Sequence, residues 1–390
     1  MKIVLISYSL AAGGLLAAAL ALGQEPPVSP TPTPAPTPAP SPAAPEPPAP
    51  QPAPPPPTAG GASQTSNYFN PSVSVIGNFL GVAGRNDVEN LKAASLRESE
   101  VALQAIVDPY ARADFFLSFS EEGVEVEEGF ATFTSLPWKL LVKAGRMRTF
   151  FGKVNTLHLH VLPWPDSPLP MVNLLGGEEG WKGTGLSVAR LVPLPGDVFS
   201  EVTLQVFDGN SDGLFSAPRR GDLAYNGHYR VFADLSEAVN LDLGLSAARG
   251  PNETSTKEET HWTNLQAVDA TLRWKPLQTG TYRSAILRAE VFRSHRSQPG
   301  IPQTAWGWFV SGDYQLAKRW WVGARVEASD RAADASLHDS GQAAILTFWP
   351  SEFSQLRGEL RRRRYAHGIT ANEALLQLQF AIGAHGAHPF

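Results

Sequence analysis

Two histidine pairs are the groups in this chain best suited to metal chemistry. His158-Leu159-His160 sets two imidazoles one residue apart, and His385 and His388 form a second pair near the C-terminal end. Either could hold zinc only if a third ligand converged on it; as isolated pairs they read as solvated loop histidines, and no cofactor is expected. Asp208-Gly209-Asn210-Ser211-Asp212-Gly213 matches part of a calcium-binding loop but lacks its distal glutamate and flanking helices, so it reads as a polar loop. With no cysteine in 390 residues, disulfides, thiolate metal sites and cysteine nucleophiles are excluded. No Gly-x-Ser-x-Gly, phosphate loop or His-Glu-x-x-His occurs, and the acid pairs Glu121-Glu122 and Glu178-Glu179 fall in loops. The chain is not expected to be an enzyme; a hydrolase would need a nucleophile and base meeting across separate strands.

A second chemistry is distributed along the chain. Arg112, Asp114, Lys143, Arg230, Asp269, Arg273, Arg288, Glu290, Arg325, Glu327, Arg357, Glu359, Arg361 and Arg363 recur at alternate positions, opposite apolar residues. In Trp320-Trp321-Val322-Gly323-Ala324-Arg325-Val326-Glu327-Ala328 one parity is Trp, Val, Ala, Val, Ala and the other carries Arg325 and Glu327. Leu241, Leu243 and Leu245 likewise oppose Asp242 and Ser246. Period two is the signature of a strand with two unlike faces.

About sixteen such segments can be drawn, near 71–79, 95–107, 110–118, 125–134, 138–146, 183–192, 198–208, 225–234, 240–249, 263–275, 283–294, 304–315, 318–329, 339–349, 352–363 and 373–383. The stretch 90–100, leading into the second, could alternatively start as a helix. Short connectors such as Asp108-Pro109, Leu136-Pro137 and Pro350-Ser351 alternate with mostly longer polar ones.

The rest of the chain is a different polymer. Of 34 prolines, 18 lie between Pro26 and Pro57. Residues 1–23, with Lys2 ahead of a Leu- and Ala-rich run and small Ala21 and Gly23, read as a secretory signal peptide. Residues 24–67 read as a disordered Pro-rich spacer, extended at about 3.1 Å per residue, either inert or contacting a periplasmic partner. Residues 68–390 form the folded domain. With 32 basic against 37 acidic side chains, net charge −5, nucleic acid is not an expected partner.

An even set of two-faced strands behind an export signal predicts an all-β fold, a closed antiparallel transmembrane β-barrel of about sixteen strands. Lipid leaves no partner for an open edge, whereas closure pairs every backbone group. Tyr110, Trp138, Trp274, Tyr314, Trp320 and Trp349 beside short turns, with Trp306, Trp308 and Tyr229 towards long loops, would supply interfacial girdles. A soluble β protein would also alternate, but with strands of about 5–6 residues.

Leu141-Val142-Lys143-Ala144-Gly145-Arg146-Met147-Arg148-Thr149-Phe150-Phe151-Gly152, Val107-Asp108-Pro109-Tyr110-Ala111-Arg112-Ala113-Asp114, Glu125-Val126-Glu127-Glu128-Gly129-Phe130 and Tyr314-Gln315-Leu316-Ala317-Lys318-Arg319-Trp320-Trp321-Val322-Gly323 resemble segments of the phosphate-selective porin O and P family. The ending His385-Gly386-Ala387-His388-Pro389-Phe390 is similar to porin-like outer-membrane proteins labelled as zinc-regulated receptors. The porin resemblance implies a sixteen-stranded, often trimeric barrel in the outer membrane of a Gram-negative-type bacterium, with its third loop folded into the lumen. Connector 147–182 fits that loop, with Phe151, Lys153, His158, His160 and Asp166 at the constriction. Basic residues implied for the pore are here accompanied by acids, which would equally make a structural charge lattice. The run Arg361-Arg362-Arg363-Arg364 could line the pore or bind lipopolysaccharide phosphates.

The resulting expectation is a passive channel in outer-membrane lipid for small hydrophilic solutes or ions, with anion preference open. The alternative is a plugged, non-conducting barrel that binds or scaffolds, in a metal-related role or otherwise.

Overall fold

The computed structural model describes residues 71–383 apart from 90, 122 and 212. The signal peptide expected at 1–23, the spacer expected at 24–67, and His385 and His388 lie outside the described residues. Sixteen strands follow in order: β1 (Ser72–Arg85), β2 (Ala94–Asp108), β3 (Ala111–Ser120), β4 (Gly123–Phe133), β5 (Leu140–Arg148), β6 (Lys182–Leu191), β7 (Phe199–Phe207) and β8 (Ala224–Ser236). Then come β9 (Val239–Pro251), β10 (Trp262–Trp274), β11 (Ala285–Arg296), β12 (Gln303–Ala317), β13 (Trp320–Arg331), β14 (Asp334–Ser351), β15 (Ser354–Arg364) and β16 (Thr370–Gly383). Each pairs antiparallel with its sequence neighbours, and β1 pairs with β16, closing the barrel.

Every expected segment overlaps one of these strands, and the second begins as a strand, not a helix. Strand β5 starts later than the alternation predicts, because Pro137–Lys139 form a tight turn in which Trp138 and Lys139 take φ of 60° and 56°. Strand β14 starts earlier, at Asp334, so β13 and β14 are joined tightly where a longer loop is expected. Strands β3 and β4 are also closely joined, from Ser120 to Gly123. Extended backbone keeps its ladder hydrogen bonds through these polar stretches, which hydrophobic alternation alone does not reveal.

The two faces are inverted relative to a water-soluble protein. On β9, Leu243 and Leu245 are 41% and 55% exposed while Asp242 and Ser246 are 1% and 6% exposed. On β16, Leu376, Leu378 and Phe380 face outward and Gln377 and Gln379 are buried. This apolar outer surface continues around the barrel and far exceeds the scattered apolar exposure of a soluble monomer. Tyr110, Trp138, Tyr314, Trp320 and Trp306 are exposed on it. Trp349 is a correction: its parity matches buried Ile345 and Thr347, and it lines an internal cavity.

Apolar packing gathers where residues 149–181 meet the wall. Phe151, Trp164, Leu175 and Trp181 are fully buried against inward residues that include Phe292 on β11 and Phe309 on β12. Trp164 meets Phe309 edge-on, with ring centroids 5.4 Å apart.

Candidate functional site

Segment 149–181 leaves β5 through Gly152, whose φ of +65° is a left-handed conformation that glycine adopts without a Cβ clash. The Gly152 N–H donates to Ser246 Oγ on β9 at 3.0 Å. The Val154 N–H donates to Glu290 Oε1 on β11 at 2.8 Å, and the Lys153 ammonium bonds Asp242 on β9. Burial lowers the Lys153 pKa, an effect that hydrogen bonding to Asp242 opposes.

Further along, Asp166 is held by three guanidinium groups. Its Oδ1 accepts from Arg325 Nη2 at 2.7 Å, and its Oδ2 from Arg361 Nη1 and Arg363 Nη2 at 2.8 Å each. All four side chains are 1–3% exposed. Burial alone would raise the Asp166 pKa, but Arg325, Arg363 and Arg361 hold it well below the usual carboxylate range. Glu327 accepts the Leu169 N–H at 3.0 Å at the start of the short helix α1 (Leu169–Leu174) and also bonds Arg363 at 3.2 Å. Arg325 lies 4.9 Å from the centre of the Trp164 ring, a cation–π contact. Arg361 and Arg363 each bond Glu89 at 2.7 Å.

At another part of the wall, His158 Nδ1 lies 2.7 Å from Glu100 and 2.5 Å from Glu127, and its Nε2 lies 2.8 Å from Glu128. Burial would push the imidazole towards neutrality, but hydrogen bonds to Glu100, Glu127 and Glu128 outweigh it and raise its pKa well above the ordinary value. Strand β4 brings both glutamates here through a bulge: Leu117 pairs with Val126 and Phe116 with Glu128, leaving Glu127 as the extra residue. His160 Nδ1 is 3.7 Å from both Glu98 and Glu100 on β2, and its carbonyl accepts from Gln379 Nε2 on β16 at 3.0 Å.

A cavity of about 330 Å³ lies beside Gly152 and Lys153. Its lining contains the basic Lys153, Arg230, Arg273, Arg288 and Arg357 and the acidic Glu201, Asp242, Asp269, Glu290 and Asp313. Arg230 binds Asp242 at 2.8 Å, Arg288 pairs with Asp313, and Arg357 donates to the Leu162 carbonyl at 2.8 Å. Arg273 Nε has no hydrogen-bond partner among the described residues.

The remaining sequence-predicted residues take separate places. Arg112 pairs with Asp114 at 2.5 Å away from this cavity, and Lys143 sits 4.5 Å over the Phe130 ring. The Glu359 side chain is fully buried, 4.0 Å from Arg325. Of the arginine run, Arg361 and Arg363 are buried and Arg362 and Arg364 exposed, so strand alternation divides it between two faces. Asn210 Oδ1 of the calcium-loop fragment accepts the Ala217 N–H at 3.0 Å.

Sequence reasoning missed Glu89, Glu98, Glu100, Asp313 and Glu373, which bonds Arg361 at 2.7 Å, as partners, and Phe292 and Phe309 as docking residues. Glu98 and Glu100 share one parity on β2, a signal that was present. Phe292 shares parity with Glu290, and an aromatic on an otherwise charged face marks a packing contact.

No protein-family profile matches the chain. A protein of Aquifex aeolicus (strain VF5), described as uncharacterized, is 28% identical over 342 residues, covering 78% of this chain and 71% of its own length. Among solved structures, Pseudomonas putida OprB is similar with TM-score 0.54 and 12% identity, covering 81% of this chain and 94% of OprB. Salmonella typhi OmpF in complex with daunomycin has TM-score 0.54 and 9% identity, covering 81% and 98%. The outer membrane channel DcaP of Acinetobacter baumannii has TM-score 0.52 and 11% identity, covering 80% and 96%. At these identities the likeness establishes a porin-like barrel fold.

Proposed function

We propose that the chain is an outer-membrane porin, a water-filled path for passive diffusion of small hydrophilic solutes or ions, with no enzymatic activity of its own. The observation that carries this reading is the inversion of burial around a closed ring, with leucines outside and paired charges inside. The likeness in fold to OprB, OmpF and DcaP supports it.

Segment 149–181 is the constriction, folded into the lumen. Its support is the spread of its contacts over β2, β4, β9, β11, β13, β15 and β16, strands placed around the whole ring. Five bases and five acids line the cavity beside it, which favours weak charge selection over an anion ladder. An anion preference, and with it membership of the phosphate-selective porins, draws its support from Arg273. Outward Arg362 and Arg364 suit lipopolysaccharide phosphates. A homotrimer completes the proposal.

One observation favours a second reading, a plugged barrel that binds or scaffolds. Phe151, Trp164 and Trp181 are completely buried and pack the segment against the wall as a core would. Single-channel currents of refolded protein under a potassium chloride gradient separate the two. Discrete steps that grow when part of 149–181 is deleted support the channel. Silence from verified folded barrel supports the plug.

A further inference from the structure

Glu98, Glu100, His158 and His160 converge from two distant parts of the chain. Each offers one ligand atom, and these atoms all lie within 4.8 Å of one another. Glu98 and Glu100 share the inward face of β2, and the two histidines come from segment 149–181. His160 Nδ1 stands 3.7 Å from a carboxylate oxygen of each glutamate. A tetrahedral ion with bonds of about 2.0–2.2 Å sets its donors roughly 3.4 Å apart, so His160 needs only a small contraction towards either glutamate, while His158 Nδ1 and Glu100, at 2.7 Å, must separate around the ion.

Two further observations point to a cation. Glu98 is 2% exposed, and neither of its carboxylate oxygens has a hydrogen-bond partner among the described residues, an expensive state for a buried acid. Glu127 and Glu128 add two more carboxylates, so four acids meet here. Among the described residues the ion pairs they make are with Arg148, His158 and His160. Carboxylates therefore outnumber the cationic side chains paired with them here, an arrangement that a bound cation would balance.

We infer that Glu98, Glu100, His158 and His160 form a binding site for one divalent first-row transition ion that clamps segment 149–181 to β2. Two imidazole and two carboxylate donors suit zinc or cobalt(II) better than calcium or magnesium, which take oxygen shells. Glu128 beside His158 Nε2 orients the ring with Nδ1 towards Glu100, the outer carboxylate common at metal-bound histidines. Glu127, 2.5 Å from the same Nδ1, is within reach as a fifth donor. The site goes beyond the channel reading and holds for a conducting or a plugged barrel.

The test uses full-length protein folded in detergent, stripped with a chelator, dialysed and titrated with cobalt(II) and zinc. The expected result is one ion per chain, visible cobalt absorption of a four- or five-coordinate centre, and a rise in the thermal unfolding temperature. Glu98→Gln and His160→Gln, each checked for heat-modifiable migration, should weaken binding about tenfold or more. Glu98→Gln gives up no hydrogen bond to the described residues, so it keeps the test available if His160→Gln fails to fold. Absence of saturable binding by folded wild type, undiminished binding by folded Glu98→Gln, or loss of all binding in a His385→Gln/His388→Gln variant would overturn the assignment.

Discussion

Arg363 donates from Nη2 to Asp166 Oδ2 at 2.8 Å across 197 residues of chain, joining the middle of segment 149–181 to β15. Arg325 and Arg361 complete the grip, so one carboxylate is shared by three buried guanidinium groups that Glu89, Glu327 and Glu373 pair from the other side. Removing a single partner from such a cluster leaves uncompensated charge in a poorly solvated place.

Asp166→Asn is therefore expected to destabilise the barrel by about 3–5 kcal/mol and to loosen the segment. Thermal unfolding followed by gel migration measures the first effect, and single-channel conductance the second. A variant with unchanged unfolding and current would remove Asp166 from the proposed constriction.

The same contacts set a pH response. Asp166 and Glu89 both titrate below their ordinary values, because the attraction of Arg361 and Arg363, with Arg325 acting on Asp166, exceeds the effect of burial. A depressed folded pKa contributes stability above the unfolded value and loses it as pH falls towards the folded value. With unfolded values of about 3.9 and 4.3, these groups should contribute fully from pH 8 to 5 and lose their contribution below about 4. Unfolding temperatures of wild type and Asp166→Asn across that range check this: their difference should be flat above pH 5 and shrink below 4.

Trp164 and Phe309 make the apolar part of the same attachment. Phe309→Ala should cost about 3–5 kcal/mol and expose 149–181 to limited proteolysis. Trp306→Ala, three residues away but on the outer face, should leave the cleavage pattern unchanged.

Leu245 tests the outer surface. It lies mid-strand on β9 and is 55% exposed, so in lipid Leu245→Arg should destabilise the barrel by about 2–4 kcal/mol. Folding titrations in phospholipid vesicles measure it, and a neutral result would count against a lipid-facing position there.

Charge selection is read from Arg273. Arg273→Gln removes one of five cavity bases and leaves five acids, so the reversal potential under a salt gradient should shift towards cations. A shift towards anions, or none in a conducting variant, would exclude Arg273 as a selectivity determinant.

Alternation makes strand number and facing legible in the sequence, because a strand's two environments repeat every two residues whatever the strand pairs with. Thus Arg325, Glu327, Arg361 and Arg363 could be assigned one face before any contact was known. Strand ends at Trp138 and Asp334 were not legible, since ladder hydrogen bonds continue or stop without regard to hydropathy.

Nor could periodicity place His158 and His160 against Glu98 and Glu100, or Asp166 among three arginines. Those meetings depend on the register that closes the barrel and on the path of a 33-residue connector, 149–181, between β5 and β6. Local pattern decided which side chains face inward. Only closure decided which inward side chains share the same few ångströms, because that distance is set by all sixteen strands together.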